Sequence, residues 1–263
     1  MIGNNWGYFL IKIVSVPVFI LMVSIVGRRW GHSIGGLIVG LPLTSGPVFL
    51  FLVLEQGTSF GVGAAQGILM GLISVSTACL VYSKLAFRTS WPTCVVGASA
   101  AFFAVGAVLY FISPPLLLSF VAVLVVLVII LRLLPSTSAP NILRAPPRWE
   151  IPARIIAATT VVVLITEGAT LLGPHLSGLL TPFPAYAVVL GAFIHKLDGA
   201  DASGLFLRGV VYGSFTAASF FFVNAFFIAQ VGLLVAMSIA VAAGVVMHSF
   251  LFHLLRKSSV IRV

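Results

Sequence analysis

The stretch PLLLSFVAVLVVLVIILRLL, residues 115–134, decides the fold class. It is apolar almost without interruption for about 20 residues, the length that an α-helix needs to cross the hydrocarbon core of a bilayer. A strand of a membrane β-barrel would instead alternate apolar and polar residues in shorter segments. The stretch therefore predicts a transmembrane helix.

The composition extends this prediction to the whole chain. Of its 263 residues, 60% are hydrophobic and 7% are charged, against about 25% charged residues in an ordinary soluble domain. The mean hydropathy is +1.22. A soluble enzyme and a disordered chain are excluded, because neither can be built from so few polar residues. We predict an all-α integral membrane protein, multi-pass in the cell (inner or plasma) membrane.

Further apolar runs on both sides of 115–134 bring the predicted number of transmembrane helices to nine. The predicted spans are 7–26, 33–54, 59–83, 91–112, 115–134, 153–172, 175–195, 203–228 and 231–255. The Pro-rich, polar segment 135–152 is expected to be an aqueous linker. The chain then divides into 1–134 with five spans, the linker, and 153–263 with four spans.

The basic residues predict the orientation of these spans. The chain has 14 Lys and Arg and a net charge of +9. With the N-terminus outside, all basic residues except Lys12 and Arg208 fall in cytoplasmic segments. Lys and Arg collect in cytoplasmic loops, so we predict an N-out, C-in topology with the linker in the cytoplasm. The positive charge then reflects topology and not nucleic-acid binding.

The sequence contains a weak copy of itself at an offset of 142 residues. Segment 31–73 aligns with 173–215 without a gap, and Pro42 coincides with Pro184. Five glycines coincide in this alignment, where chance predicts about 1.6. The offset carries the first four spans onto the last four, a shift of five spans, so the second copy crosses the membrane in the opposite direction. Span 115–134 has no partner and reverses the direction. We therefore predict an inverted-topology repeat, either 4+1+4 or 5+5 lacking the last helix, an architecture common in secondary transporters.

This organisation resembles that of the drug/metabolite transporter superfamily, whose carriers have ten helices in two inverted halves of five. The resemblance covers nearly the whole chain and rests on the number of spans, the offset and the chain length; the tenth helix is missing. It implies a carrier of small solutes, and no functional residue is carried over from it.

The two spans that the offset pairs as second and seventh each contain two prolines near the middle. They read GGLIVGLPLTSGPVFLFL (35–52) and SGLLTPFPAYAVVLG (177–191). Proline removes a backbone donor and clashes with the preceding turn, so both helices should kink or break. Broken backbone at membrane depth is tolerated only inside protein or facing a water-filled cavity. A substrate site is predicted here, with packing kinks as the alternative. Its candidate residues are Pro42, Thr44, Ser45, Gly46, Thr181, Pro184 and Tyr186.

Two ionisable residues lie inside predicted spans at matched depths. Lys12 and Glu167 each lie a short way below the outer end of their span, and the two spans are repeat partners. Ionisable side chains within the membrane are costly and are functional candidates by default. We predict a Lys12–Glu167 coupling pair; the alternative is that each side chain reaches the outer headgroups separately.

Small residues on the third and eighth spans predict close helix packing. The ridges Gly63-x3-Gly67-x3-Gly71 and Gly209-x3-Gly213-x3-Ala217 let helix backbones approach each other. Gln66 and Arg208 correspond at the offset, and Arg208 is expected at the inner interface, as is Arg154. A solvated cytoplasmic loop is predicted to contain His195, Lys196, Asp198 and Asp201.

The leading functional hypothesis is a secondary transporter, a permease or exporter. Half-helices that begin near Pro47 and Pro184 would point positive N-terminal ends at the midplane, which favours an anionic or neutral organic solute. Motifs of metalloproteases, phosphate-binding loops and serine hydrolases are missing from the sequence, so we expect no enzymatic activity, no cofactor and no metal site. The expected partners are the lipid bilayer and a small-molecule substrate, and not nucleic acid. The formation of a homodimer is left as an alternative. The alternatives are a membrane subunit of a larger transport complex, a flippase of lipids or lipid-linked molecules, and a structural membrane protein.

Overall fold

The computed structural model describes residues 5–43, 45–112, 114–135, 149–170 and 184–257, and the regular elements in these ranges are all helical. The helices are α1 (Asn5–Trp30), α2 (His32–Val39), α3 (Ser45–Gln56), α4 (Thr58–Ala86), α5 (Trp91–Tyr110), α6 (Leu116–Leu133), α7 (Glu150–Thr170), α8 (Ala185–Asp198), α9 (Ala200–Val231) and α10 (Leu233–Lys257). Five of them, α4, α5, α6, α9 and α10, are long and apolar enough to cross a membrane. The predicted all-α class is confirmed, and these helices indicate a membrane-embedded protein.

The predicted span 33–54 is two helices and not one. Helix α2 ends at Val39 and α3 begins at Ser45. The break surrounds Pro42, as expected for a residue that cannot donate a backbone hydrogen bond to the preceding turn. In the predicted span 175–195, α8 begins at Ala185, directly after Pro184. The first part of that span, including Thr181, lies outside the described residues.

Single glycines connect α3 to α4 and α8 to α9. Gly57 has φ 86° and Gly199 has φ 92°, a region that side chains with a Cβ rarely adopt. One residue therefore suffices to end a helix and begin the next. The predicted loop after the seventh span is accordingly wrong: three of its residues lie in the last turn of α8, and the fourth lies in the first turn of α9. These residues are His195, Lys196, Asp198 and Asp201.

Helices α4 and α9 form the centre of the protein. They pack along their length in antiparallel orientation, since Gly61 near the start of α4 faces Ile228 near the end of α9. In α4 and α9, 67% and 72% of the most apolar stretch is buried, against 17% to 22% in α5, α6 and α10. The outer three helices therefore present apolar faces to the surroundings, as expected of lipid-facing helices.

Helix α2 crosses α9 with the two backbones in contact. The contact is made by Gly36 on α2, by Gly40 directly after α2, and by Gly209 and Gly213 on α9. A Cβ atom at Gly213 would lie 2.7 Å from the Cα atom of Gly40, closer than real Cβ contacts allow. The predicted packing role is thus confirmed for Gly209 and Gly213. It is wrong for Gly63, which is exposed and whose Cβ would meet nothing within 4 Å.

Helix α6 is held at both ends by polar side chains of the central helices. Gln66 on α4 donates its Nε2 to the carbonyl of Pro114 at 2.7 Å, just before α6 begins. Arg208 on α9 donates its Nη2 to the carbonyls of Leu134 and Pro135 at 3.0 and 3.3 Å, just after α6 ends. Arg208 therefore satisfies carbonyls that a helix C-terminus leaves without an intrahelical partner.

Candidate functional site

The first predicted group of site residues surrounds the break between α2 and α3. The chain leaves α2 at Gly40, whose backbone lies against Val210 and Gly213 of α9. Pro42 and Ser45 are half-buried, and Gly46 is buried. A Cβ at Gly46 would lie 3.6 Å from the ring of Phe220, further along α9. Thr44 lies outside the described residues. The break is therefore enclosed on one side by α9.

The second predicted group lies at the start of α8. Pro184 is buried and precedes the first helical residue, and its carbonyl accepts a hydrogen bond from the backbone N–H of Val188 at 2.7 Å. The half-buried ring of Tyr186 packs edge-on against Phe19 of α1, with 5.0 Å between ring centroids. The described contacts thus place the first group against α9 and Tyr186 against α1.

The break between α2 and α3 and the described start of α8 each lie at a helix N-terminus. Helix α3 begins at Ser45 and α8 begins at Ala185. At α8 the first backbone N–H groups have no intrahelical acceptor and carry partial positive charge. At α3 the N–H of Gly46 bonds to the carbonyl of Pro42 at 2.8 Å, and Pro47 has no N–H to offer. Such helix ends favour anionic or hydrogen-bond-accepting groups.

A charge cluster that the sequence analysis missed joins the end of α1 to the start of α7. We define it by four residues: Ser24, Arg28, Glu150 and Arg154. Arg28 donates its Nη2 to the Glu150 carboxylate at 3.1 Å, and Arg154 forms an ion pair with the same carboxylate. Arg154 also donates its Nη1 to the Ser24 hydroxyl at 3.4 Å. Glu150 is 3% exposed and Arg154 is 6% exposed, so the side chain of Arg154 is buried between helices. Its expected position at the inner surface of the membrane stays a prediction.

Neighbouring contacts extend the charge cluster to α2 and α8. The imidazole of His32 lies 3.6 Å from the carboxylate of Asp198. His32 precedes the predicted span, and burial lowers its pKa, with Asp198 raising it and Arg154 lowering it. The guanidinium of Arg154 lies 5.7 Å from the ring centroid of Phe193 on α8, within cation–π range. Four helix ends therefore meet around Arg154.

A second polar contact links α8 to the central helix α4. The hydroxyl of Tyr82, a fully buried residue near the end of α4, lies 3.5 Å from Nδ1 of His195, and the two rings pack edge-on. His195, predicted to be in a solvated loop, is instead part of a helix–helix contact. In the last turn of α8, His195 thus contacts α4 and Asp198 contacts α2.

The predicted pair Lys12 and Glu167 falls on α1 and α7, and these two helices pack against each other. The side chains of both residues lie outside the described ones.

The sequence holds a local signal for only part of the charge cluster. Glu150 and Arg154 are four residues apart at the start of a helix, a spacing that brings two side chains to one face. Their partners Arg28 and Ser24 are 122 and 130 residues away along the chain, and no local pattern links such distant positions.

No family model matches this chain, and comparison with curated proteins and with solved structures gives no significant match. The chain's own residues therefore carry the functional inference.

Proposed function

We propose that this protein is a multi-pass secondary transporter of the cell membrane that moves a small anionic or neutral organic solute by alternating access. The observation that carries the proposal is the interruption of a membrane span between Val39 and Ser45, beside the central helix α9. Discontinuous helices of this kind surround the substrate sites of many transporters, because their free backbone groups and helix ends bind polar solutes.

Support for the inverted repeat comes from where the helices begin. Helices α4 and α9 begin at Thr58 and Ala200, and α5 and α10 begin at Trp91 and Leu233; each pair is 142 residues apart, the offset of the sequence repeat. In each proposed half the first of these helices packs against the second. The two halves thus agree in where their helices begin and in which helices pack together. This agreement favours two copies of one unit over a chance similarity in glycine content.

The α6 contacts support the opposite directions of the two halves. Gln66 and Arg208 are related by the offset of 142, yet they bind opposite ends of α6. Residues related by a parallel repeat would lie at the same depth, whereas residues of an inverted repeat lie at mirrored depths. We assign 1–134 to the first half with its reversing helix α6, 135–152 to the cytoplasmic linker and 153–263 to the inverted second half.

The proposed substrate site comprises Pro42, Thr44, Ser45, Gly46, Thr181, Pro184 and Tyr186. The helix start at Ala185 supplies backbone donors for an anionic or neutral solute, while few acidic side chains are available for a cation. The N-out, C-in orientation rests on the distribution of Lys and Arg.

The register of α1 and α7 supports the proposed Lys12–Glu167 pair. Arg28 contacts Glu150, and Ser24 contacts Arg154. A step of four residues toward the N-terminus of α1 therefore corresponds to a step of four residues toward the C-terminus of α7. Continued along the two helices, the same register places position 12 at the depth of position 166, next to Glu167. The pair would lie at the outer end of the same helix–helix contact.

A thermal-shift screen of the purified protein against a metabolite panel tests the proposed function. A class of organic anions or neutral metabolites should raise the unfolding temperature, and liposomes containing the protein should accumulate the radiolabelled compound. Failure of every compound to move across the liposome membrane, or co-purification of an ATPase that transport requires, would contradict a self-contained secondary carrier.

Two conservative variants then test the site. Thr44→Val and Tyr186→Phe should each weaken binding of that compound by roughly tenfold, since a lost hydrogen bond is worth about 1–1.5 kcal/mol. Thr77→Val is the control, because the Thr77 hydroxyl bonds to the carbonyl of Ile73 in its own helix α4. Unchanged affinity in both site variants would move the substrate away from the broken helices.

A further inference from the structure

We propose that the charge cluster is the cytoplasmic gate of the transporter and that this structure shows it closed; the inference rests on the proposed function. The cluster joins the C-terminal end of α1 to the N-terminal end of α7. In the proposed orientation both ends face the cytoplasm. The contact that Arg28 and Arg154 make through Glu150 would then close the inner side of the path between the halves.

The links in and beside the cluster cross from one proposed half to the other. Arg28–Glu150 and Arg154–Ser24 connect α7 to α1, and His32–Asp198 connects α2 to α8. Helices α1 and α2 belong to the first half, and α7 and α8 to the second. Relative movement of the halves at this end must therefore separate these partners, which is what a gate requires.

The burial of Glu150 and Arg154 is poorly explained by a contribution to the stability of the fold. Glu150 and Arg154 are the two charged residues with less than a tenth of their surface exposed among the described residues. The Nε atom of Arg154 is buried without a hydrogen-bond partner. A buried ion pair repays its desolvation cost poorly, and apolar side chains of similar volume often stabilise a protein as well or better.

Reversible opening, by contrast, suits charged partners. When the halves separate, water can solvate each charge, so the open state loses the ion pairs and recovers hydration. When the halves close, the ion pairs replace that hydration. The two states can therefore lie close in free energy, as alternating access demands. An apolar contact would expose hydrophobic surface on opening and would favour the closed state.

Thiol labelling in inside-out membrane vesicles tests the gate without any substrate. Cys79 and Cys94 are buried and are first replaced by alanine. Ala158→Cys then introduces one thiol on α7 about one turn deeper than Arg154, at a position that is 0% exposed. A membrane-impermeant maleimide added to the cytoplasmic face should label it slowly. Adding Arg28→Gln or Glu150→Gln should speed labelling by about tenfold or more, because the unpaired partner favours the open state.

The chain offers a matched control and a rescue. Arg29 is exposed and stacks on Trp30, 5.6 Å from the ring centroid, on the same turn of α1. Arg29→Gln should leave labelling slow, and Arg28→Lys, which retains the charge, should restore most of the slow rate. If Arg28→Gln, Glu150→Gln and Arg29→Gln are labelled at equal rates, the gate is overturned. This holds even if the first two variants unfold at a lower temperature.

The gate and the proposed function can fail separately. Faster labelling in Arg28→Gln together with no solute movement in liposomes supports the gate and overturns only the transport proposal. Solute movement with no change in labelling overturns only the gate. A thermal-unfolding scan of each variant confirms that labelling is measured on folded protein.

Discussion

Among the contacts that join the proposed halves of this protein, two are built in opposite ways. At the α2–α9 crossing, Gly36, Gly40, Gly209 and Gly213 let two backbones touch with no side chain between them. At the α1–α7 contact, long charged side chains bridge the helices. A backbone contact depends on shape, and any added atom pushes the helices apart. An ion pair can exchange its partner for water. The crossing is therefore suited to stay together, and the charged contact is suited to open.

The largest expected effect comes from filling the glycine crossing. Gly213→Leu should prevent folding, because the new side chain would meet the backbone of α2, which cannot rotate away as a side chain does. The cost should exceed the ~1–3 kcal/mol usual for over-packing. Gly63→Leu is the control on α4, where a Cβ meets nothing within 4 Å. Size-exclusion chromatography in detergent measures both, and a monodisperse Gly213→Leu protein would show that the crossing tolerates separation.

Removal of one partner of the charge cluster should have the next largest effect. Glu150→Ala leaves Arg154 buried without its carboxylate and should destabilise the protein by about 3–5 kcal/mol. The double variant Glu150→Leu/Arg154→Met should recover most of that stability, because both buried charges are gone. Thermal unfolding in detergent gives the comparison. Equal losses in the single and the double variant would mean that the ion pair itself stabilises the fold.

These two contacts also differ in how well the sequence predicts them. The glycine ridge on α9 is visible as a spacing of four, and the break at Pro42 follows from proline chemistry. The charge cluster is not visible, since its partners are brought together only when α1 packs on α7. The predicted loop after the seventh span fails for a local reason. A polar run around Gly199 is typical of a loop, but glycine at φ 92° allows the next helix to begin at once.

A smaller effect is expected at the two ends of α6. Arg208→Gln should destabilise by about 1.5–3 kcal/mol and Gln66→Ala by about 0.5–1.5 kcal/mol, because hydrogen bonds from a charged donor are stronger. Arg88→Gln is the control, since Arg88 is exposed. Thermal unfolding of the three variants checks the order. If Gln66→Ala cost more than Arg208→Gln, the N-terminal end of α6 would be the more important attachment.

The smallest effect is expected at the proposed outer end of the α1–α7 contact, opposite the charge cluster. The register set by Arg28–Glu150 and Ser24–Arg154 places Lys12 and Glu167 at similar depth, so the proposed pair would be an outer counterpart of the charge cluster. Because both charges lie near the outer ends of their predicted spans, where headgroups and water can solvate them, the pair should contribute little to stability. Lys12→Ala and Glu167→Ala should each lower the transport rate in liposomes, while the double variant should lose less than the sum of the two. Their coupling energy in unfolding should be about 0.5–1 kcal/mol, near the lower end for residues in contact. Lys84→Ala, at an exposed position in the last turn of α4, should leave both measurements unchanged. Strictly additive losses would show that Lys12 and Glu167 never meet, and the charged contact would then control only one end of the helix pair.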